Sequence, residues 1–279
     1  MKVHLLGTGA AEGIPAFYCR CRVCREAAER GGVELRTRSS VFIDGTLKFD
    51  NGPDTYAQKV RHRLDLTAMT ALVFTHAHED HFTPTELIWR ARNFIQAGVP
   101  KPLSVFGNAV VGELLQSLCE RYKLDKGEFC DKLSLKFTQV EPFVPFATGP
   151  HTIHPVRATH DPNQVSHNYV VMRDGRAVLI GFDTGRYDEA TWEYLSNFRL
   201  DCALMDCTTG QRPEGVYHMG LEDNLRVREE MLKRGIIDVR TRYVLTHISH
   251  GGGWLHTELK EHAAQAGMIA AFDGMVIDV

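Results

Sequence analysis

The chain has 279 residues, 43% hydrophobic and 24% charged, with Gly 24 and Pro 11. That balance excludes disordered, collagen-like and coiled-coil chains and supplies a sizeable core, as one large domain or about two of ordinary size. Lys+Arg 32 against Asp+Glu 35 leaves a net charge of -3, so no global positive field draws nucleic acid to the surface.

In chain order, residues 2–6 read as a first strand, because Val3-His4-Leu5-Leu6 is too short for the apolar core of a secretory signal. Gly7-Thr8-Gly9 follows as a tight turn; it lacks the dinucleotide-binding pattern, since Glu12 stands where the third Gly belongs. Seven Cys is an odd number, and Cys19, Cys21 and Cys24 crowd too closely for a disulfide framework, which points to a reducing, cytoplasmic setting. Residues 40–43 and 46–49 form a hairpin about Asp44-Gly45. The pattern then predicts a helix over 53–61, a strand over 71–75 and a helix over 84–96 capped by Thr83. A strand over 103–106 and a helix over 109–123 capped by Asn108 come next.

Strands are predicted at 133–137, 152–158, 169–172 and 177–182, the last two paired about Arg173-Asp174-Gly175. A helix over 189–196 capped by Asp188, a strand over 203–205 and a helix over 222–234 follow. The chain finishes with a strand over 242–246, a helix over 257–266 and a strand over 274–277. Hairpins beside amphipathic helices call for two mixed β-sheets packed together with helices outside, an αββα sandwich of the α/β class. No repeat, low-complexity stretch or linker interrupts the chain, so residues 1–279 are expected to form a single domain. The longest apolar runs, 71–74 and 177–180, fall far short of the roughly 20 residues that cross a bilayer.

Chemistry concentrates in Thr75-His76-Ala77-His78-Glu79-Asp80-His81, between a strand and a helix. Three imidazoles and Asp80 offer divalent-cation ligands. His76 and His78 project to one side of an extended segment, whereas Asp80 and His81 diverge and suit a second ion about 3.5–4 Å away. Two ions need more ligands, and His160, Asp183 and His247 each sit at another strand end.

These residues, with the Gly7-Thr8-Gly9 opening and Thr246-His247, resemble the metallo-β-lactamase superfamily over nearly the whole chain. More narrowly, Cys19-x-Cys21-x2-Cys24, Met205-Asp206-Cys207 and Thr246-His247-Ile248-Ser249-His250 resemble the cyclic phosphodiesterases of the carbon-phosphorus lyase pathway. The resemblance implies the αββα fold and a dinuclear site of zinc or manganese. His76, His78 and His160 would hold one ion, Asp80, His81 and His247 the other, and Asp183 would bridge them. His167 is the alternative to His160. The three thiolates favour a closed structural zinc in a small loop at about 17–26, with His250 as fourth ligand. Cys119, Cys130, Cys202 and Cys207 lack paired spacing and read as small apolar residues.

His218 resembles the loop histidine that assists the leaving group. The implied activity is hydrolysis of a small cyclic or open phosphodiester, like a ribose 1,2-cyclic phosphate, by a metal-bridged hydroxide, with Asp80 and His218 as catalytic residues. The expected partner is a small molecule rather than nucleic acid or a membrane, and a symmetric homodimer is the default assembly. Two alternatives share parts of the pattern: a transfer-RNA 3'-end processing endonuclease, and a cofactor-biosynthesis protein similar to pyrroloquinoline quinone biosynthesis protein B.

Overall fold

The computed structural model describes residues 1–98, 101–124 and 131–279, and among these two seven-stranded sheets are formed. The first contains β1 (Lys2–Gly7), β2 (Ser40–Ile43), β3 (Leu47–Phe49), β4 (Ala71–Val73), β5 (Leu103–Gly107) and β6 (Leu135–Gln139), with β14 (Val276–Asp278) outside β1. The second contains β7 (Phe146–Thr148), β8 (His151–Arg157), β9 (His167–Arg173), β10 (Arg176–Gly181), β11 (Cys202–Asp206), β12 (Arg242–Thr246) and β13 (Ile269–Ala270), in reverse spatial order from β13 to β7. Each sheet is mixed. β1, β2 and β3 pair antiparallel and β3 to β6 parallel. Likewise β7 to β10 pair antiparallel and β10 to β13 parallel.

The helices are α1 (Arg22–Arg30), α2 (Thr55–Arg61), α3 (Ala109–Arg121), α4 (Glu189–Leu195), α5 (Leu221–Lys233) and α6 (His256–Gln265). Strand residues alternate between faces, and β10 exploits both. Val178 and Ile180 pack with Val41, Phe49 and Val73 between the sheets, whereas Leu179 packs with Trp192, Val227 and Leu259 beneath α4, α5 and α6. On the opposite flank Leu72, Phe74 and Val105 pack with Val111 and Leu115 of α3. These three apolar layers make the αββα sandwich expected from the sequence.

Both hairpins form as read: β2 pairs β3 about Asp44-Gly45, with Ile43 opposite Leu47, and β9 pairs β10 about the two-residue loop Asp174-Gly175; all four turn residues have positive φ, as the central pair of an I′ turn requires. The Asn108 and Asp188 caps accept from Val111 N at 3.0 Å and Thr191 N at 2.8 Å. The helix expected over 84–96 does not form. Pro84–Arg90 and Arg92–Phe94 are 3-10 turns separated by extended Ala91, and Thr83 caps neither. Arg90 is drawn across to the Leu133 and Lys101 carbonyls, and the Thr83 hydroxyl donates to Glu79 O instead. Among the described residues one α-helix and two strands escaped the pattern: α1, whose Cys-rich start reads as a loop, and the short edge strands β7 and β13. Cys202 and Cys207 are fully buried, in keeping with an apolar role, and Cys130 lies outside the described residues. Among the described residues no helix is long and apolar enough to cross a membrane.

Candidate metal centre

The ends of β3, β4, β8, β10, β11 and β12 open on one edge of the sandwich, and Asp50, residues 76–81, His160, Asp183, Asp206 and His247 lie at or just beyond them. Asp50, Asp183 and His247 adopt left-handed backbone, with φ of 59°, 44° and 56°. Non-glycine residues are costly there and concentrate where a side chain must be aimed.

Two groups of ligand atoms result. In the first, His78 Nδ1 lies 2.9 Å from His76 Nε2 and 3.1 Å from His160 Nε2. Nitrogens bound at about 2.0–2.1 Å to one ion lie about 2.9–3.4 Å apart between square and tetrahedral angles, so the spacing fits a shared cation. The outer nitrogens are engaged: His76 Nδ1 meets Thr75 Oγ1 at 3.0 Å, His78 Nε2 meets Asp161 Oδ2 at 3.0 Å, and His160 Nδ1 meets Tyr217 O at 3.3 Å. Burial first, then His81, holds the His76 pKa well below its ordinary value, which keeps the ring neutral.

The second group is Asp80, His81, Asp183 and His247, all buried. His81 Nε2 is 2.6 Å from Asp183 Oδ2 and 3.0 Å from Asp80 Oδ2, and His247 Nε2 is 3.0 Å from Asp183 Oδ2. Yet His81 Nε2, His247 Nε2 and Asp183 Oδ2 make no hydrogen bond of acceptable geometry. His81 Nδ1 is committed to Asp50 Oδ2 at 2.7 Å and His247 Nδ1 to Thr208 Oγ1 at 2.8 Å. Neutral rings donating there turn lone pairs toward a carboxylate, a donor set that fits a divalent cation. Burial opposes charge on both rings, but the carboxylates outweigh it: Asp80, Asp183 and Asp50 raise the His81 pKa well above the ordinary value, and Asp183 with Asp80 raises that of His247 to about 10. The same carboxylate excess suits a cation in place of the protons. Asp183 faces both groups, its Oδ1 lying 3.7 Å from His160 Nε2.

Two carboxylates support this edge symmetrically. Asp50 accepts directly from His81 and from the Thr75 hydroxyl at 2.9 Å, behind His76. Asp206 meets His218 Nδ1 at 3.0 Å and accepts from the Thr208 hydroxyl at 3.0 Å, behind His247. Burial disfavours charge on His218, but the Asp206 hydrogen bond and charge reverse this and raise its pKa. His218 Nδ1 is 3.7 Å from Asp183 Oδ1, so the ring borders the ligand groups. Sequence reasoning passed over the roles of Asp50 and Asp206, although both carry the signal used for Asp183, an acidic residue at a strand end.

His167, the alternative to His160, begins β9 with its ring buried, belongs to neither group, and lies tilted against Tyr169 with ring centroids 5.8 Å apart. Cys19, Cys21, Cys24 and His250 form a separate group. Cys21 caps α1, and its Sγ lies 3.5 Å from His250 Nδ1, close to the roughly 3.6 Å expected for S and N on one tetrahedral zinc. Burial pushes the Cys21 thiol up, but the Cys24 N–H and His250 overcome this and bring it to about 6; burial raises the Cys24 thiol.

A model of the β-lactamase superfamily domain matches residues 46–248. The chain is 28% identical over 195 residues to an octanoyltransferase of Porphyromonas gingivalis, spanning 66% of itself and 33% of that protein. It is 27% identical to coenzyme PQQ synthesis protein B of Azoarcus sp. over the full length of both. Among solved structures, a diphosphatase of the PhnP family superposes with a TM-score of 0.74 at 22% identity, over 100% of this chain and 97% of that one. Zinc-bound PqqB from Methylobacterium extorquens gives 0.68 at 16%, over 100% of both. Human tRNase Z, short form, gives 0.67 at 19%, over 100% and 99%. At these identities the superpositions establish the fold alone.

Proposed function

The chain belongs to the β-lactamase superfamily, and on that premise we propose that it is a metal-dependent phosphodiesterase acting on a small cyclic or open phosphodiester, such as a ribose 1,2-cyclic phosphate. His76, His78 and His160 would hold one divalent ion, Asp80, His81 and His247 a second, and Asp183 would join both; zinc and manganese suit this donor set. The observation that carries the reading is the placement of Asp183, whose Oδ1 faces His160 and whose Oδ2 faces His81 and His247.

When bound, such a pair supplies Lewis acidity and a water of lowered pKa. The chain's own residues supply orientation and a proton. Asp50, directly and through Thr75, fixes the tautomers of His81 and His76, and Asp206 through Thr208 fixes that of His247. Asp206 also occupies His218 Nδ1, which leaves Nε2 to deliver a proton to the departing alkoxide. The Cys19, Cys21, Cys24 and His250 group would hold a structural zinc apart from this chemistry.

The test is hydrolysis of bis(p-nitrophenyl) phosphate by metal-replete protein beside Asp183→Ala. Turnover that disappears in a folded Asp183→Ala protein is the expected result; an inert wild type overturns the proposal. In that event a role in cofactor biosynthesis gains ground, since the protein B relative aligns over the whole chain.

A further inference from the structure

Glu12 is unexplained by the Gly-rich turn and unused by the hydrolytic site. We infer that it is the positioning carboxylate for His250, presenting that ring to the cysteine group, an inference that rests on the structural-zinc reading above. The turn carrying Glu12 is clasped to the segment carrying His250: Ala10 N donates to Ile248 O at 3.0 Å, and the Ser249 hydroxyl donates to Glu12 Oε1. Ser249 Oγ also accepts from Gly251 N at 3.0 Å and caps the short turn His250–Gly252. Within this clasp Glu12 Oε1 lies 3.3 Å from His250 Nε2, while His250 Nδ1 lies 3.5 Å from Cys21 Sγ.

The two ring nitrogens therefore face opposite partners. A neutral imidazole carries one proton. With that proton on Nε2, facing the Glu12 carboxylate, Nδ1 keeps its lone pair for a cation shared with Cys19, Cys21 and Cys24. Without the carboxylate the other tautomer is free to form, and its Nδ1–H cannot ligate. Outer carboxylates on metal-binding histidines are commonly worth about 10–100-fold in metal affinity. Glu12 stands to His250 as Asp50 stands to His81 and Asp161 to His78, at a longer separation of 3.3 Å against 2.7 and 3.0 Å.

Cobalt(II) reports on this group selectively, because only thiolate ligands give sulfur-to-cobalt charge-transfer absorption. Metal-free full-length protein is titrated with Co²⁺ and the cobalt is then displaced by Zn²⁺, in wild type, Glu12→Ala, Glu12→Gln, His250→Ala and the Glu12→Ala/His250→Ala double variant. Glu12→Ala is expected to weaken the charge-transfer site about 10- to 100-fold, and Glu12→Gln, which keeps an acceptor oxygen, to recover part of the loss. In the His250→Ala background Glu12→Ala should change nothing further, and the metal-free Tm of Glu12→Ala should match wild type. Unchanged affinity in Glu12→Ala, or an equal loss with and without His250, overturns the inference while leaving the zinc reading intact. A wild type with no charge-transfer band overturns the zinc reading and this inference together.

Discussion

Replacing Asp50 with Asn changes no more than one oxygen for an amide nitrogen, yet it strikes the support of the candidate centre. Asp50 is fully buried and accepts from Thr75 N at 2.8 Å, Thr75 Oγ1 at 2.9 Å and His81 Nδ1 at 2.7 Å. Asn offers a single oxygen, so one donor must meet an NH₂ group. If the oxygen stays with the Thr75 backbone, the amide faces His81 Nδ1, which must become the acceptor; its proton then moves to Nε2, the atom needed for a cation. Losing a hydrogen bond to a charged acceptor costs about 1.5–3 kcal/mol, which at about 1.4 kcal/mol per tenfold is about 10- to 100-fold in affinity. Chelator-competition titration of metal-free protein with Zn²⁺ should show the ion assigned to Asp80, His81 and His247 weakened by that factor. The ion assigned to His76, reached only through the Thr75 hydroxyl, should weaken less. Thr75→Val should reverse the order, because it removes the hydroxyl behind His76 and leaves the Asp50 contact to His81 in place. A folded Asp50→Asn protein that binds both ions with wild-type affinity refutes the reasoning.

Other consequences are open to measurement. A Cβ at Gly52 would lie 1.9 Å from Asp80 O, so Gly52→Ala should cost about 1–3 kcal/mol of stability and weaken the Asp80-containing ion site, read by thermal unfolding and metal titration. His218→Ala should scarcely affect a p-nitrophenyl ester, whose leaving group needs no proton, but should slow an alkyl phosphodiester about 10²- to 10⁴-fold; equal losses on both esters contradict proton donation by His218. Burial and then Arg157 lower the His167 pKa to about 4, and both ring nitrogens lack partners. The unfolded chain therefore binds that proton more readily, and stability is lost as pH falls from about 6.5 toward 4, by about 3 kcal/mol in full. His167→Phe should flatten the Tm profile across that window, and coincident profiles rule the effect out.

The paired hairpins and the alternating apolar strands were legible in the sequence because a dipeptide turn and a period of two are local properties. The cluster 76–81 was legible for the same reason, its residues being neighbours in the chain. The gathering of His160, Asp183 and His247 onto that cluster needed the rule that strand ends carry function, which finds candidates but fixes no pairing. Asp50 and Asp206 met that rule and were still passed over, since an acidic residue that orients a histidine looks no different in sequence from one that caps a turn. The helix expected over 84–96 failed because the reach of Arg90 to Leu133 and Lys101, decided by distant chain, outweighed local propensity.

The candidate centre draws on both sheets: Asp50 and residues 76–81 come from the first, and His160, Asp183, Asp206 and His247 from the second. A nascent chain that has reached only β6 carries four of the seven donors, and neither of the Asp183 oxygens that face both groups. Any cation taken up by the finished edge therefore acts as a rivet between the two halves of the sandwich. A ligand that binds only the folded state at a thousand times its Kd adds about 4 kcal/mol to stability. The amount of intact protein in a cell would then track the supply of that metal, so that scarcity lowers its abundance through turnover as well as its activity through lost ligands.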